Sequence, residues 1–347
     1  MPETTSPINV AVVGAGAFGR NHLRVYRDIQ QQDRSIRLAA IIETDTSRTS
    51  ALAAEWNAPV HTSLAACLDA RRRGEINIDV ASICVPTTEH YEVAAPLLAA
   101  GIDLLIEKPV AADTAQAAEL IALAEKHNRI LAVGHLERFN PAITTVSAWL
   151  NRPMFFEAHR LSVFTPRALD VDVVLDLMIH DLDIVLSFVR SPVRDLRAVG
   201  LPILSSKVDI ANVRIEFESG CVANFTASRV STERVRKLRF FQPHQYISID
   251  YARQDLLIID VDPNACPAPA FPGLPPGLAV RKPPVKSGEP LKLEIESFLD
   301  SVRTRTVPQV SAQQGLAALA LALDINAAIE AHAQRAGLDA FSRSTGI

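Results

Sequence analysis

The tightest constraint on how this chain folds is a short glycine pattern. Gly14-Ala15-Gly16-Ala17-Phe18-Gly19 follows the apolar, β-branched run Ile8–Val13 directly and opens a stretch with helical periodicity. Between a strand and a helix, each glycine has its own task. The first permits a tight turn, the second removes a side chain that would block a pyrophosphate, and the third lets helix and strand approach closely. Phosphates would sit on the backbone N–H groups at the helix start. Gly14, Gly16 and Gly19, with Ala17 and Phe18 at the helix opening, are therefore expected to bind a dinucleotide.

The same strand-then-helix alternation repeats as far as Val133. Apolar runs at Ile8–Val13, Leu38–Ile42, Val80–Val85, Leu104–Ile106 and Ile130–Val133 are separated by amphipathic segments such as Glu89–Ala100 and Thr114–His127. The pattern predicts an α/β domain, a parallel sheet covered by helices on both faces. After Asn140–Pro141 the pattern changes. A helix through Val171–Val189 precedes strands at Arg214–Phe217, Cys221–Ala227, Leu238–Gln242, Tyr246–Asp250 and Leu256–Ile259, which reads as an α+β domain with a largely antiparallel sheet. Pro263–Pro290 reads as a long ordered loop or hairpin insertion, and helices near Leu293–Arg303 and Ser311–Gln334 close the chain. The expected division is 1–136 for dinucleotide binding and 137–347 for substrate binding and oligomerisation.

With 347 residues, 48% hydrophobic and 21% charged, the chain is long enough for two domains with substantial cores. A net charge of -4 and the lack of a basic run interleaved with aromatics argue against nucleic acid as a partner. Cys67, Cys84, Cys221 and Cys266 show no paired spacing and read as reduced thiols. The first ten residues lack a secretory pattern. The Ala/Leu-rich stretch Leu316–Leu323 is too short to span a bilayer, so a cytoplasmic location is expected.

Three further segments carry chemistry. Glu43 ends the second apolar run, where a carboxylate would accept hydrogen bonds from the adenosine ribose and favour NAD over NADP; Arg48, folded back, could instead meet a 2′-phosphate. Its distance from the glycines exceeds the usual ~20 residues, which the polar segment Gln30–Arg37 accounts for. Glu107-Lys108-Pro109 leaves the run Leu104–Ile106 at the sheet edge where ligands of open α/β sheets bind, and Lys108 can point its ammonium at a substrate oxygen. Asp176 and His180 stand four apart and would share one helix face, a carboxylate orienting an imidazole base. Asp183 reads as structural. His180, Asp181 and Asp183 splay onto different faces of such a helix, so no metal site is expected.

Together the Gly14–Gly19 loop, Glu107-Lys108-Pro109, the Asp176…His180 helix and Glu296-Ser297-Phe298-Leu299-Asp300-Ser301-Val302-Arg303 resemble the Gfo/Idh/MocA family of oxidoreductases over nearly the whole chain. The resemblance implies a Rossmann domain followed by an open-faced, mainly antiparallel sheet domain, with NAD(P) at the glycine loop and catalysis by Lys108, Asp176 and His180. It further implies cofactor contacts along Cys84-Val85-Pro86-Thr87, His90, Glu107 and Lys108. The open sheet face is commonly an oligomer interface in the family, so a homodimer or homotetramer is expected. Gly134-His135-Leu136-Glu137-Arg138-Phe139-Asn140-Pro141 and Asp176-Leu177-Met178-Ile179-His180-Asp181 are similar to a bacterial branch that oxidises C3 of UDP-N-acetylglucosamine, whose ketone is aminated for a diamino-sugar of lipid A. By that likeness Arg138 and Asn140 would lie near the nicotinamide and sugar, with Arg138 also facing the diphosphate, and His135 is expected at the substrate site. Val173-Val174 stand where the family often has glycines.

The resulting expectation is an NAD-dependent dehydrogenase acting on a CH–OH group of a UDP-N-acetylhexosamine. Either His180 or Lys108 takes the hydroxyl proton, and Arg160, Arg167 or Arg229 could help supply a place for UDP. A dehydrogenase of a free sugar or polyol such as myo-inositol is the rival enzyme, and a catalytically silent NAD-binding regulator the rival from another class.

Overall fold

The computed structural model describes residues 7–165, 171–261 and 277–338. Its first unit comprises Met1–Leu136 together with Leu291–Leu316, and its second Glu137–Pro290 with Ala317–Ile347.

In the first unit β1 (Ile8–Val13), α1 (Ala17–Gln32), β2 (Ile36–Ile42), α2 (Thr46–Trp56), β3 (Val60–His61), α3 (Leu64–Arg72), β4 (Val80–Ile83), α4 (His90–Ala99), β5 (Asp103–Glu107), α5 (Thr114–Lys126) and β6 (Leu131–Gly134) follow one another. The strands form one parallel sheet in the order β3-β2-β1-β4-β5-β6. Val10, Val12, Val80 and Leu105 are buried in its core with Leu23 and Tyr26 of α1. Their near-continuous apolar runs are what a sheet covered on both faces demands. Strand order reverses at β1, and the crevice such a reversal leaves at the carboxyl edge is where α/β sheets of this kind take ligands. Asp45, Ser63 and Asp113 cap α2, α3 and α5 with side-chain hydrogen bonds. Helix α1 starts at Gly16 with no side-chain cap.

The second unit holds α6 (Pro141–Val146), β7 (Phe155–Val163), a π turn (Val174–Met178), α7 (Ile179–Val189), β8 (Val193–Leu201), β9 (Ile210–Phe217), β10 (Val222–Ser231), β11 (Val235–Gln242), β12 (Gln245–Asp250), β13 (Asp255–Val261) and β14 (Leu278–Arg281). Its sheet runs β14-β13-β12-β11-β7-β10-β9-β8, antiparallel except where β7 pairs parallel with β10. Along β9 and β10 side chains alternate between buried and half-exposed, the period-two signature of a sheet with one covered face. Val213, Ile215, Phe225, Leu238, Phe240 and Ile247 supply the covered face, and α7 contributes Ile179, Leu182 and Val185. On the other face Phe155 stacks on Phe241, their ring centroids 5.7 Å apart.

Two helices follow, α8 (Pro290–Thr304) and α9 (Ala312–Arg335). The expected assignment of everything after residue 136 to one domain needs revision for α8. Leu291, Ile295, Phe298 and Leu299 lie on one stripe of α8 and are buried in the first unit's core. Arg303 pairs with Asp33 at 2.8 Å and Arg305 with Asp103 at 2.6 Å in the same unit. Among the described helices only α9 is long and apolar enough to cross a bilayer by composition. Ala318, Ala322, Ile325 and Ile329 of α9 are buried core residues of the second unit, which accounts for that composition.

Other expectations shift in detail. The helix read over Val171–Val189 is a π turn followed by an α-helix, because the Ile179 N–H bonds Val174 five residues back. Strands β7 and β8 were not anticipated. Within Pro263–Pro290, β14 pairs antiparallel with β13, while 262–276, including Cys266, lie outside the described residues.

Candidate active site

The glycine loop has the geometry its spacing predicts. Gly14 adopts φ +86°, and a Cβ there would meet the Cys84 backbone at 2.9 Å. At Gly19 an added Cβ would fall 1.8 Å from the Gly14 carbonyl, so only glycine lets α1 pack this close. At Gly16 a Cβ would meet nothing within 4 Å. The middle glycine therefore faces open space, and Ala17 and Phe18 beside it are exposed. A cradle that a side chain would fill, at a helix start without its own cap, fits a pyrophosphate.

Glu43 closes this loop from below. It is 7% exposed, its Oε2 accepts from the Ala15 N–H at 3.1 Å and its Oε1 from the Asp45 N–H at 3.0 Å. Arg48 folds back as the alternative reading required, with Nη1 3.3 Å from Glu43 Oε2 and Nη2 donating to the Ala15 carbonyl. The carboxylate thus pins the loop at the end of β2. Helix α1 runs on to Gln32, which explains the long spacing from the glycines.

Beyond β4 and β5 the chain brings Cys84, Val85, Glu107, Lys108 and Pro109 into one neighbourhood through a histidine. His90, 1% exposed, places Nδ1 2.9 Å from the Pro109 carbonyl and Nε2 3.0 Å from the Val85 carbonyl. His90, expected among the cofactor contacts, thus braces the two loops through its ring nitrogens. A neutral imidazole has one N–H and serves one carbonyl at a time. Burial nevertheless lowers its pKa below the ordinary histidine value, against the pull of both carbonyls. Burial, then Glu107 and Glu294, push the Cys84 thiol well above its usual pKa, so it packs rather than reacts. Pro86 is exposed and Thr87 half-buried at the start of a 3₁₀ turn. Lys108 is half-buried in the loop after β5. His22, which the sequence reading did not single out, is fully buried on α1 with Nε2 2.9 Å from Glu107 Oε1. His135, at the end of β6, is 1% exposed.

In the second unit Asp176 lies in the π turn and His180 in the first turn of α7, both half-buried. The wider π winding replaces the simple α-helical face expected for the pair, and single π turns of this kind recur at functional sites. Asp172 secures the entry: Oδ1 accepts from the Val174 and Leu175 N–H groups at 2.9 and 3.0 Å, and Oδ2 from Asn326 at 3.0 Å. Val173 and Val174, at the positions of the family's glycines, are fully buried.

Two residues expected to contact substrate have their polar groups engaged within the second unit. Arg160 is 2% exposed and bonds Asp181 twice and Glu137 once, at 3.0 Å. Burial opposes its charge, but Asp181 and then Glu137 outweigh that and raise its pKa. With its donors facing these carboxylates, it is committed to them rather than to a ligand. Asn140 is 2% exposed and is likewise spent, on the Ala142 N–H, Glu137 and the Tyr251 carbonyl. Arg138 pairs with buried Asp183 at 3.3 Å, which gives Asp183 its structural role. Arg229, 6% exposed, lies 3.5 Å from Asp209 and donates to the Val171 carbonyl, while Arg167 lies outside the described residues. Neither Glu137, Asp181 nor His22 could be picked out as buried from one sequence, since the periodic patterns mark apolar positions only.

Comparison with known proteins supplies the context. Residues 8–135 match the oxidoreductase family with an NAD-binding Rossmann fold, and 142–243 the GFO/IDH/MocA C-terminal domain. The chain is 35% identical to the UDP-N-acetylglucosamine 3-dehydrogenase of Acidithiobacillus ferrooxidans over 329 residues, 94% of this chain and 99% of that protein. A solved structure of that enzyme superposes with TM-score 0.84 at 34% identity, covering 94% of this chain and 99% of the other. An inositol 2-dehydrogenase of Corynebacterium glutamicum is 34% identical over 135 residues, 39% of this chain and 38% of that one. Levoglucosan dehydrogenase in complex with NADH and L-sorbose shares the fold at 16% identity, with TM-score 0.81 over 94% of this chain and 97% of the other.

Proposed function

Because this chain belongs to the Gfo/Idh/MocA family of NAD-binding oxidoreductases, we propose that it oxidises the C3 hydroxyl of a UDP-N-acetylhexosamine, UDP-N-acetylglucosamine first, to the 3-keto sugar. The observation that carries this reading is full-length likeness. The nucleotide-sugar enzyme matches through both units, whereas the inositol dehydrogenase of Corynebacterium glutamicum matches over little more than a third of the chain.

NAD, when bound, supplies the hydride acceptor. The residues Gly14, Gly16, Ala17, Phe18 and Gly19 would hold the pyrophosphate, Glu43 the adenosine ribose, and Glu107 with the Cys84–Thr87 loop the nicotinamide end. Lys108 would polarise the sugar hydroxyl and stabilise charge as an alkoxide develops. His180 would take the hydroxyl proton, oriented by Asp176. Arg138 and His135 remain substrate-site candidates, and Arg160 and Asn140 do not. A 3-keto product suits a following amination, consistent with a place in making a diamino-sugar of lipid A. Among the described residues Cys67, Cys84 and Cys221 are free thiols, in keeping with the cytoplasmic location we propose. The half-exposed aromatic face around Phe155 and Phe241 is where a homodimer or homotetramer would form, which sedimentation of Phe241→Glu against the wild type would test.

The deciding experiment measures NADH formation by purified protein with UDP-N-acetylglucosamine and with myo-inositol. Turnover of the nucleotide sugar alone is expected. Turnover of inositol alone would transfer the assignment to a polyol, and binding without turnover across a sugar panel would make the chain a regulator. Lys108→Ala should abolish turnover with NAD affinity largely intact; retained turnover would remove Lys108 from the mechanism.

A further inference from the structure

His22 is the buried titratable group that the reaction scheme leaves unused, and its surroundings are specific. Nε2 faces Glu107 Oε1 at 2.9 Å, and Nδ1 has no hydrogen-bond partner among the described residues. Only one tautomer suits this arrangement. With the proton on Nε2 the ring donates to an ionised carboxylate and leaves merely a lone pair unsatisfied. The reverse would bury an N–H against nothing and require a protonated Glu107. Phe18 and Tyr26 hold the ring, their centroids 5.5 and 6.5 Å away.

Gly134 leaves the room that the Glu107 carboxylate occupies. A Cβ at Gly134, which ends β6, would stand 2.8 Å from Glu107 Oε1, and the three heavy atoms nearest to it all belong to Glu107. The carboxylate therefore fills the space that this glycine leaves at the end of β6, while His22 of α1 meets it through a hydrogen bond. Glu107 immediately precedes Lys108, and α1 is the helix whose start faces the glycine cradle. The acid for the adenosine ribose stands at the end of β2, so the β4-β5-β6 half of the sheet is left for the nicotinamide.

We propose that His22 is a positioning residue of the cofactor site: by donating to Glu107 it fixes an ionised carboxylate in the nicotinamide half, which favours the positively charged oxidised ring over the neutral reduced one. The proposal rests on the nicotinamide occupying that half. It makes the helix that receives the phosphates also the support of the residue beside Lys108. Cys84, Tyr26, His90, Lys108 and Glu294 are the other titratable groups of this region; burial keeps Cys84 and Tyr26 in their protonated, uncharged forms and disfavours the charged form of His90.

The test is a set of dissociation constants for NAD⁺, NADH and ADP-ribose, which lacks the nicotinamide, on the full-length protein. His22→Phe and Glu107→Gln should each weaken NAD⁺ relative to NADH by roughly tenfold, the scale of a hydrogen bond to a charged group. ADP-ribose affinity should stay unchanged, and His22→Gln, which keeps a donor, should restore most of the preference. Should His22→Phe unfold the domain, Gly134→Ala puts a methyl group where the same carboxylate lies and should lower the ratio likewise. An unchanged NAD⁺-to-NADH ratio in these variants, or an equal loss for all three ligands, would overturn the role of His22. A wild type that binds ADP-ribose as tightly as both dinucleotides would instead remove the nicotinamide half-site itself, and the proposal with it.

Discussion

Arg160 meets Asp181 through two parallel hydrogen bonds, Nε to Oδ2 at 2.8 Å and Nη2 to Oδ1 at 3.0 Å, with both side chains 3% exposed. Asp181 follows His180, so the pair anchors the turn that carries the proposed base. Arg160→Met would leave Asp181 buried without its cation and Glu137 with only the more distant Arg236, 3.9 Å away, which costs about 3–5 kcal/mol. Denaturant unfolding should report that loss. A raised KM with unchanged stability would return Arg160 to the substrate site.

Glu43 and Arg48 make a second measurable pair. Glu43→Ala removes the acceptor for the Ala15 N–H and releases the Arg48 guanidinium beside the ribose position. Turnover with NAD should fall while that with NADP rises relative to it, a selectivity change of roughly tenfold for one charge-assisted contact. Comparing kcat/KM for the two cofactors reads it directly. An unaltered ratio would place cofactor choice elsewhere.

His90 sets a pH dependence of stability. Its folded pKa lies below the ordinary value of 6.5, because burial disfavours the charged ring. Below that value the unfolded chain therefore binds a proton that the folded chain refuses, and stability is lost as pH falls. The wild-type Tm should drop between neutral pH and pH ~5.5, a window just below the unperturbed histidine pKa. His90→Gln, less stable at neutral pH, should show a shallower slope there. Parallel slopes would mean that another group dominates.

Helix α8 provides a test of the unit division. Phe298→Ala empties a site that is 2% exposed and should cost about 3–5 kcal/mol. Hydrogen exchange should then quicken in β1, β2 and β5 rather than in β9–β12. For the same reason a fragment ending at residue 136 should not fold stably, since it leaves that core uncovered.

Elements whose signal is local were legible before any coordinates. Ile8–Val13 was bounded correctly from its apolar run, and the close packing at Gly14 and Gly19 followed from spacing, because a turn of that kind excludes side chains at those two positions. β7 escaped notice although it is a central strand: Phe155–Val163 mixes Glu157, His159 and Arg160 among its apolar residues, and its alternation is weak. The π turn also escaped notice, since a hydrogen bond reaching five residues back leaves no mark in a pattern read for α-helical periodicity.

By itself the order of residues determined the class of the first unit, the glycine cradle and the candidates Lys108, Asp176 and His180. These rest on short-range spacing and on which types of side chain can do the chemistry. Only tertiary structure decided that Arg160 and Asn140 belong to the framework, that His90 braces two loops, and that α8 returns to the first core. A polar side chain looks the same in sequence whether it faces solvent or an opposite charge brought from far along the chain. Burial and partners separate those cases, and both are properties of the fold.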